Sequence, residues 1–110
     1  MKDLPAFRPR PRDQVMALVH RVLMLDSHSD HSYLHQLVEH ADGHYRVLFD
    51  PAYFVLQAGQ TEASKSQWSG LKKKFKRHDP NVFVFKEHGT VTENGKPYSF
   101  MDFGFFAHAQ

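Results

Sequence analysis

The sequence predicts one α+β domain, a two-layer sandwich in which helices pack on an antiparallel sheet. Apolar residues recur at helical spacing before residue 41 and again between residues 65 and 78, whereas β-branched and aromatic residues dominate most other segments after residue 44. Asn94-Gly95 is the strongest hairpin signal, because both residues accept the positive φ of a type I′ turn. The predicted order of elements is αα-ββ-α-βββ, and segregation of helices from strands is typical of α+β proteins.

Residues 1–11 are predicted to form a flexible basic arm, and residues 12–110 the folded domain. From Arg8 to Arg12, arginines alternate with prolines. Proline fixes φ and lacks a backbone donor, so this segment favours an extended backbone over a helix. The domain itself is long enough to bury one hydrophobic core without disulfides.

Two helices are predicted to open the domain. Asp13 is a suitable N-cap for the first, which ends near Leu25. Its apolar stripe consists of Val15, Leu18, Val19, Val22 and Leu25. The second helix covers residues 31–41 and stops at Asp42-Gly43. Its stripe consists of Leu34, Leu37, Val38 and Ala41. The first helix is apolar enough to be buried deeply or against a second chain.

The rest of the chain is predicted to be strands interrupted by a third helix. Residues 44–49 and 53–57 are predicted strands, separated by a turn. The third helix ends near His78 and has the apolar stripe Trp68, Leu71 and Phe75. A continuous apolar strand at 82–85 follows, and the hairpin joins residues 90–93 to 96–106.

Composition and motifs exclude several classes of function. The chain has no Cys, which removes disulfides, thiolate metal sites and cysteine nucleophiles. It lacks a glycine-rich phosphate loop, GxSxG and HExxH, so neither an enzyme nor a cofactor is predicted. It has no signal-peptide pattern and no apolar segment long enough to span a bilayer, so we expect no membrane association and, by elimination, a cytoplasmic location.

The basic residues are concentrated in two segments although the net charge is only +2. One is the arm, and the other is the third helix, whose cations are Lys72, Lys73, Lys74, Lys76 and Arg77. No acidic residue lies between residues 63 and 78 to form ion pairs along that helix. Such a cluster indicates either a phosphate-binding surface or a solvated helix back.

Histidines and aromatic residues suggest two further sites. His31 and His35 are four residues apart on the predicted second helix, a spacing that can hold a metal, but no fourth ligand is defined and no metal is predicted. Phe103-Gly104-Phe105 partly matches the RNP1 pattern of base-stacking sheets. Core packing or a dimer interface is the preferred interpretation of this strand.

The leading hypothesis is a small nucleic-acid-binding protein, with a regulatory role as one option, that contacts mainly the phosphate backbone of DNA or RNA. The predicted binding residues are Lys72, Lys73, Lys74, Lys76, Arg77, Arg8, Arg10 and Arg12. The surplus of apolar residues on the first helix and last strand predicts a homodimer. The alternative is a protein-interaction module, immunity-like or adaptor, that binds through the aromatic C-terminal strand.

Overall fold

The computed structural model describes residues 6–24 and 33–107. Its helices are α1 (Arg12–Leu23) and α2 (Lys65–His78), with a single 3-10 turn at Pro51–Tyr53. Its strands are β1 (Leu34–Glu39), β2 (Tyr45–Phe49), β3 (Val82–Glu93) and β4 (Lys96–Phe105). The predicted α+β class is confirmed.

The four strands form one antiparallel sheet in the order β1-β2-β4-β3. Both helices pack on the same face of this sheet. The core joins Val19 of α1 and Phe75 of α2 to Val47 of β2 and Phe103 of β4, and all four are fully buried. Among residues 6–24 and 33–107 no helix lies on the opposite face of the sheet, so the described part of the chain has the predicted two layers.

The hairpin between β3 and β4 is confirmed. Asn94 has φ 52° and Gly95 has φ 80°, and Glu93 pairs with Lys96 across the turn. A positive φ is unfavourable for most L-residues but accessible to Asn and Gly. The strands predicted at 82–85 and 90–93 are one continuous strand, β3, with a bulge between Val84 and His88.

The predicted second helix is wrong, because residues 34–39 form β1 instead. A β-bulge between Leu34 and Gln36 lets Leu34 pair with Phe49 and Leu37 pair with Val47. Because Val47 and Phe49 both face the helices, Leu34 and Leu37 also lie on that side although they are three residues apart. The bulge thus imitates helical spacing in the sequence. Residues 31 and 32 of the predicted helix lie outside the described residues.

The strand predicted at residues 53–57 is also wrong. The Asp50 side chain accepts a hydrogen bond from the Ala52 amide at 2.9 Å and caps the 3-10 turn, and Phe54 leads into a loop. Both edges of β2 are already paired, with β1 and β4, so no position beside it is open to this segment. Asp50-Pro51 therefore ends the sheet pairing rather than linking two strands.

The apolar face of α1 is buried within this single chain. Val15, Val19 and Val22 are all 0% exposed, so they need no second chain to cover them. The helix begins at Arg12, two residues earlier than predicted, with Pro11 rather than Asp13 as its N-cap, and Leu25 lies outside the described residues. No helix in the described part of the chain is long and apolar enough to cross a membrane.

Candidate nucleic-acid interface

Helix α2 holds its side chains in a defined orientation. Ser64 and Gln67 form a capping box at its N-terminus, which satisfies backbone donors at that end. Trp68, Leu71 and Phe75 are buried beneath it, as the sequence predicts. Because one face is fixed against the core, the positions between these residues must point away from it.

The outer side of α2 presents three of the predicted cations to solvent. Lys73, Lys76 and Arg77 are exposed. None of the ion pairs formed among residues 6–24 and 33–107 involves any of them. Lys76 and Arg77 also lie in the last turn, where the helix dipole favours positive charge.

Two other lysines of α2 are partly occupied by their own chain. Lys72 Nζ donates a hydrogen bond to the Lys86 carbonyl at 2.9 Å, and burial lowers its pKa. Lys74 Nζ lies 5.9 Å from the centroid of the Tyr53 ring, within range of a cation–π contact. Lys72 is therefore turned toward β3, whereas Lys74 lies on the side of α2 near the 3-10 turn.

Arg21 of α1 joins this cluster, although no sequence pattern indicates it. The pKa of His78 is lowered, first by burial and then by the charges of Arg21, Lys74 and Arg77. These groups are thus close enough to act on one imidazole. Only the packing of α1 beside α2 brings Arg21 there, so no local pattern predicts it. We call the set Arg21, Lys73, Lys74, Lys76 and Arg77 the basic surface.

The described part of the N-terminal arm is bound to the sheet, so the prediction of a flexible arm is wrong for residues 6–11. Phe7 forms a β-bridge with Phe106. The Arg8 amide donates to the Phe105 carbonyl at 2.9 Å, and the Ala107 amide donates to the Ala6 carbonyl at 2.9 Å. These bonds make the segment a short added strand beyond the end of β2. Residues 1–5 lie outside the described residues.

The ring of Phe7 lies directly on the sheet at Gly104. A Cβ atom at residue 104 would come within 2.6 Å of this ring, closer than such contacts allow. Phe7 also packs at ring-centroid distances of 5.9 Å from Phe83 and 5.5 Å from Phe85. The glycine thus provides the space in which the arm attaches.

Of the three predicted binding arginines at residues 8–12, two are engaged with the domain, and Arg12 is the first residue of α1. Arg10 forms an ion pair with Asp79, the C-cap of α2, and its guanidinium lies 4.0 Å from the Phe105 ring centroid. Arg12 donates to the Leu37 carbonyl at 3.1 Å and pairs with Glu39. Arg8 alone among them is exposed without an ion pair to any described residue. It lines an open cleft beside Arg10.

The remaining sequence candidates lie elsewhere. His35 is on β1, where Nε2 is 3.1 Å from a Glu93 carboxylate oxygen and the ring stacks on Tyr98. His31 lies outside the described residues. Within the described ranges no three His, Asp or Glu side chains are grouped as a metal site.

The aromatic strand β4 does not offer its Phe-Gly-Phe motif to a ligand. Phe103 is 0% and Phe105 is 1% exposed, and both face the helices. The aromatic residues on the helix-free face include Phe83, Phe85 and Phe100, which are half-buried, and the Phe7 ring packs against the first two. Beside them Arg46 lies 4.2 Å from the Phe100 ring centroid and is paired with Asp102.

No protein-family model, curated protein or solved structure matches this chain. The candidate interface is therefore defined by its charge and geometry alone.

Proposed function

We propose that this protein is a cytoplasmic nucleic-acid-binding protein that contacts the phosphate backbone through the basic surface. The observation that carries the proposal is the set of exposed cations on α2 without an ion pair in the described chain. Like charges on one helix face repel each other. A polyanion relieves this repulsion and releases its own counterions when it binds.

The spacing of the cations suits a polyanion better than a single small anion. Lys73 and Arg77 are one helical turn apart and lie on the same face of α2, about 6 Å along its axis. Arg21 extends the surface onto α1, so positive charge continues across two helices. The basic surface lies on the outer sides of two helices, and a backbone carrying repeated phosphates can contact it at several points.

The expected binding depends little on base sequence. The side chains of the basic surface are all cationic, and contacts to phosphate position a protein without reading the bases. DNA and RNA backbones are both candidate ligands. Arg8 is a further contact, because it is exposed and Arg10 bonds to the end of α2.

A fluorescence-polarisation titration over a salt series tests the proposal. Four or five phosphate contacts predict a log–log salt slope of about −4 on duplex DNA, since each contributes roughly −0.9. Replacing Lys73, Lys76 and Arg77 together by Gln should weaken binding by about a hundredfold near 0.15 M salt. The matched control is Lys96→Gln, an exposed lysine in the β3–β4 hairpin. Unchanged binding by the triple variant would refute the proposal.

A second candidate function is protein interaction through the helix-free face of the sheet. The observation that favours it is the half-buried group Phe83, Phe85 and Phe100 on that face. Large aromatic rings of this kind are typical of the centres of interfaces. The expected form is a homodimer in which the helix-free faces of two copies pack against each other. Sedimentation at micromolar concentration should detect it, and Phe83→Ser should return the protein to a monomer.

A further inference from the structure

A second concave site lies at the N-terminal half of α2, away from the cations of its last turn. It is a cleft of about 490 Å³ between α2, the loop at residues 54–63 and the hairpin half of β3 and β4. This volume is within the range of small-molecule sites. Phe54 and Trp68 lie at its inner side, where they are 8% and 7% exposed, and their ring centroids are 4.8 Å apart.

His88 contributes an imidazole ring to the lining of this cleft. Its ring stacks on Trp68 with centroids 4.3 Å apart and an angle of 19° between the planes. Its Nδ1 is buried. Burial lowers the pKa of His88, which keeps the ring neutral near pH 7. A hydrogen bond with the Lys86 backbone raises the pKa of the ring, but this effect is smaller than the lowering by burial.

The rest of the lining combines hydroxyl groups and the Glu62 carboxylate with an apolar lip. Thr61, Thr90 and Ser99 line the cleft together with Leu56. Leu56 is 39% exposed, and the adjacent Val55 is 82% exposed, an unusual state for large apolar side chains. A ligand that fits this lining is flat and aromatic in its body, with several hydrogen-bonding groups around its edge. A nucleobase has these properties.

The cleft is connected to the lysines of α2. Lys65 lines it, and Lys72 is near enough to lower the pKa of His88. One flank of the helix carries Lys65, Lys72 and Lys76. Residues that are seven or four positions apart lie on nearly the same face of an α-helix. A nucleic-acid backbone that follows this flank would reach the cleft at its N-terminal end.

We propose that the cleft holds one unpaired base of a single-stranded nucleic acid whose phosphates lie along α2. This inference rests on the proposed function, because the same helix supplies the phosphate contacts. A single strand is required, since the bases of a duplex are paired and stacked and cannot enter without being extruded. Base contacts with aromatic side chains tolerate all four bases, which agrees with sequence-independent binding.

Trp68 is the only tryptophan of the chain and serves as the reporter. The full-length protein is titrated with a twelve-nucleotide oligothymidylate, an abasic strand of equal length and a duplex hairpin. Oligothymidylate should quench Trp68 fluorescence and bind roughly tenfold more tightly than the abasic strand, which has the same charge. The duplex should bind by polarisation without quenching Trp68.

Two substitutions locate the effect in the cleft. His88→Phe preserves the stack on Trp68 and removes Nδ1, and Thr90→Val removes an exposed hydroxyl with little risk to folding. Each should reduce the preference for oligothymidylate over the abasic strand about fivefold and leave abasic binding unchanged. Thr92→Val is the matched control, because Thr92 is exposed on the same strand but does not line the cleft.

The outcomes separate this inference from the proposed function. Equal binding of oligothymidylate and the abasic strand, without quenching, overturns the base site and leaves phosphate binding intact. Absence of binding to all three probes overturns both. If free thymidine monophosphate quenches Trp68 fluorescence and oligothymidylate does not, the single-strand assignment is overturned. The cleft is then a mononucleotide site.

Discussion

The arginines of the N-terminal arm and the cations of α2 carry the same charge but have different surroundings. Arg10 and Arg12 are bonded to carboxylates and a carbonyl of their own chain. Lys73 and Arg77 have no ion-pair partner in the part of the chain that the structure describes. A basic segment in a sequence therefore does not indicate by itself that its charges are available to a partner.

The difference follows from where each segment runs. The arm leads into Arg12, the first residue of α1, which is within reach of the Glu39 carboxylate and the Leu37 carbonyl at the end of β1. Helix α2 satisfies its own backbone groups, and its outer side faces solvent. Arginine, which forms several directed hydrogen bonds, suits the first environment, and lysine on a helix back suits the second.

The largest expected effect concerns the buried side of α2 rather than its exposed cations. Trp68→Ala should lower the free energy of unfolding by about 3–5 kcal/mol, because it leaves a cavity beside Phe54 and His88. Urea denaturation measures this. Lys73→Ala is the control and should change stability by less than about 0.5 kcal/mol. A small effect of Trp68→Ala would mean that α2 is not held by its apolar stripe.

Arg10→Ala should act on stability and not on binding. It leaves Asp79 without its partner and removes the guanidinium from the Phe105 ring, so we expect a loss of about 1–2 kcal/mol. The salt slope of nucleic-acid binding should stay the same. A flatter slope with unchanged stability would show that Arg10 exchanges Asp79 for phosphate, and the contrast between arm and helix would then fail.

Arg77→Ala should show the opposite behaviour. Its loss removes about one phosphate contact, so the log–log salt slope should become flatter by about one unit, for all base sequences alike. Thermal unfolding should hardly change, because the side chain is exposed and unpaired in the described chain. If the stability falls and the salt slope is unchanged, Arg77 is a structural residue.

The smallest effect concerns pH. The pKa of His78 is lowered from 6.5 by burial and by neighbouring cations. A bound phosphate offsets those cations and raises this pKa, so the complex takes up a proton more readily than the free protein. Affinity should therefore rise about two- to fivefold as the pH falls from 7.5 to 5.5. His78→Gln should reduce the pH dependence of the affinity. An identical pH profile in that variant would contradict the assignment of this dependence to His78.

Local signals were sufficient where one segment determines its own structure. The stripe of Trp68, Leu71 and Phe75 predicted α2, and Asn94-Gly95 predicted the hairpin. They failed where the structure of a segment depends on residues that are distant in the sequence. A bulge made β1 resemble a helix, and attachment of the arm depends on the space above Gly104. Arg21 joins the basic surface only through helix packing.

The position of β4 between β2 and β3 has a consequence for how the chain acquires its fold during synthesis. Each of the two hairpins, β1–β2 and β3–β4, closes over a short loop and can form as soon as its own strands are made. The pairing of β2 with β4 connects the two hairpins and places Tyr45 opposite Phe103, which are far apart along the chain. Such long-range pairing forms slowly. Until the ribosome has released residue 105, the nascent chain keeps one edge of β2 open, and a ribosome stalled before that point would hold an aggregation-prone intermediate.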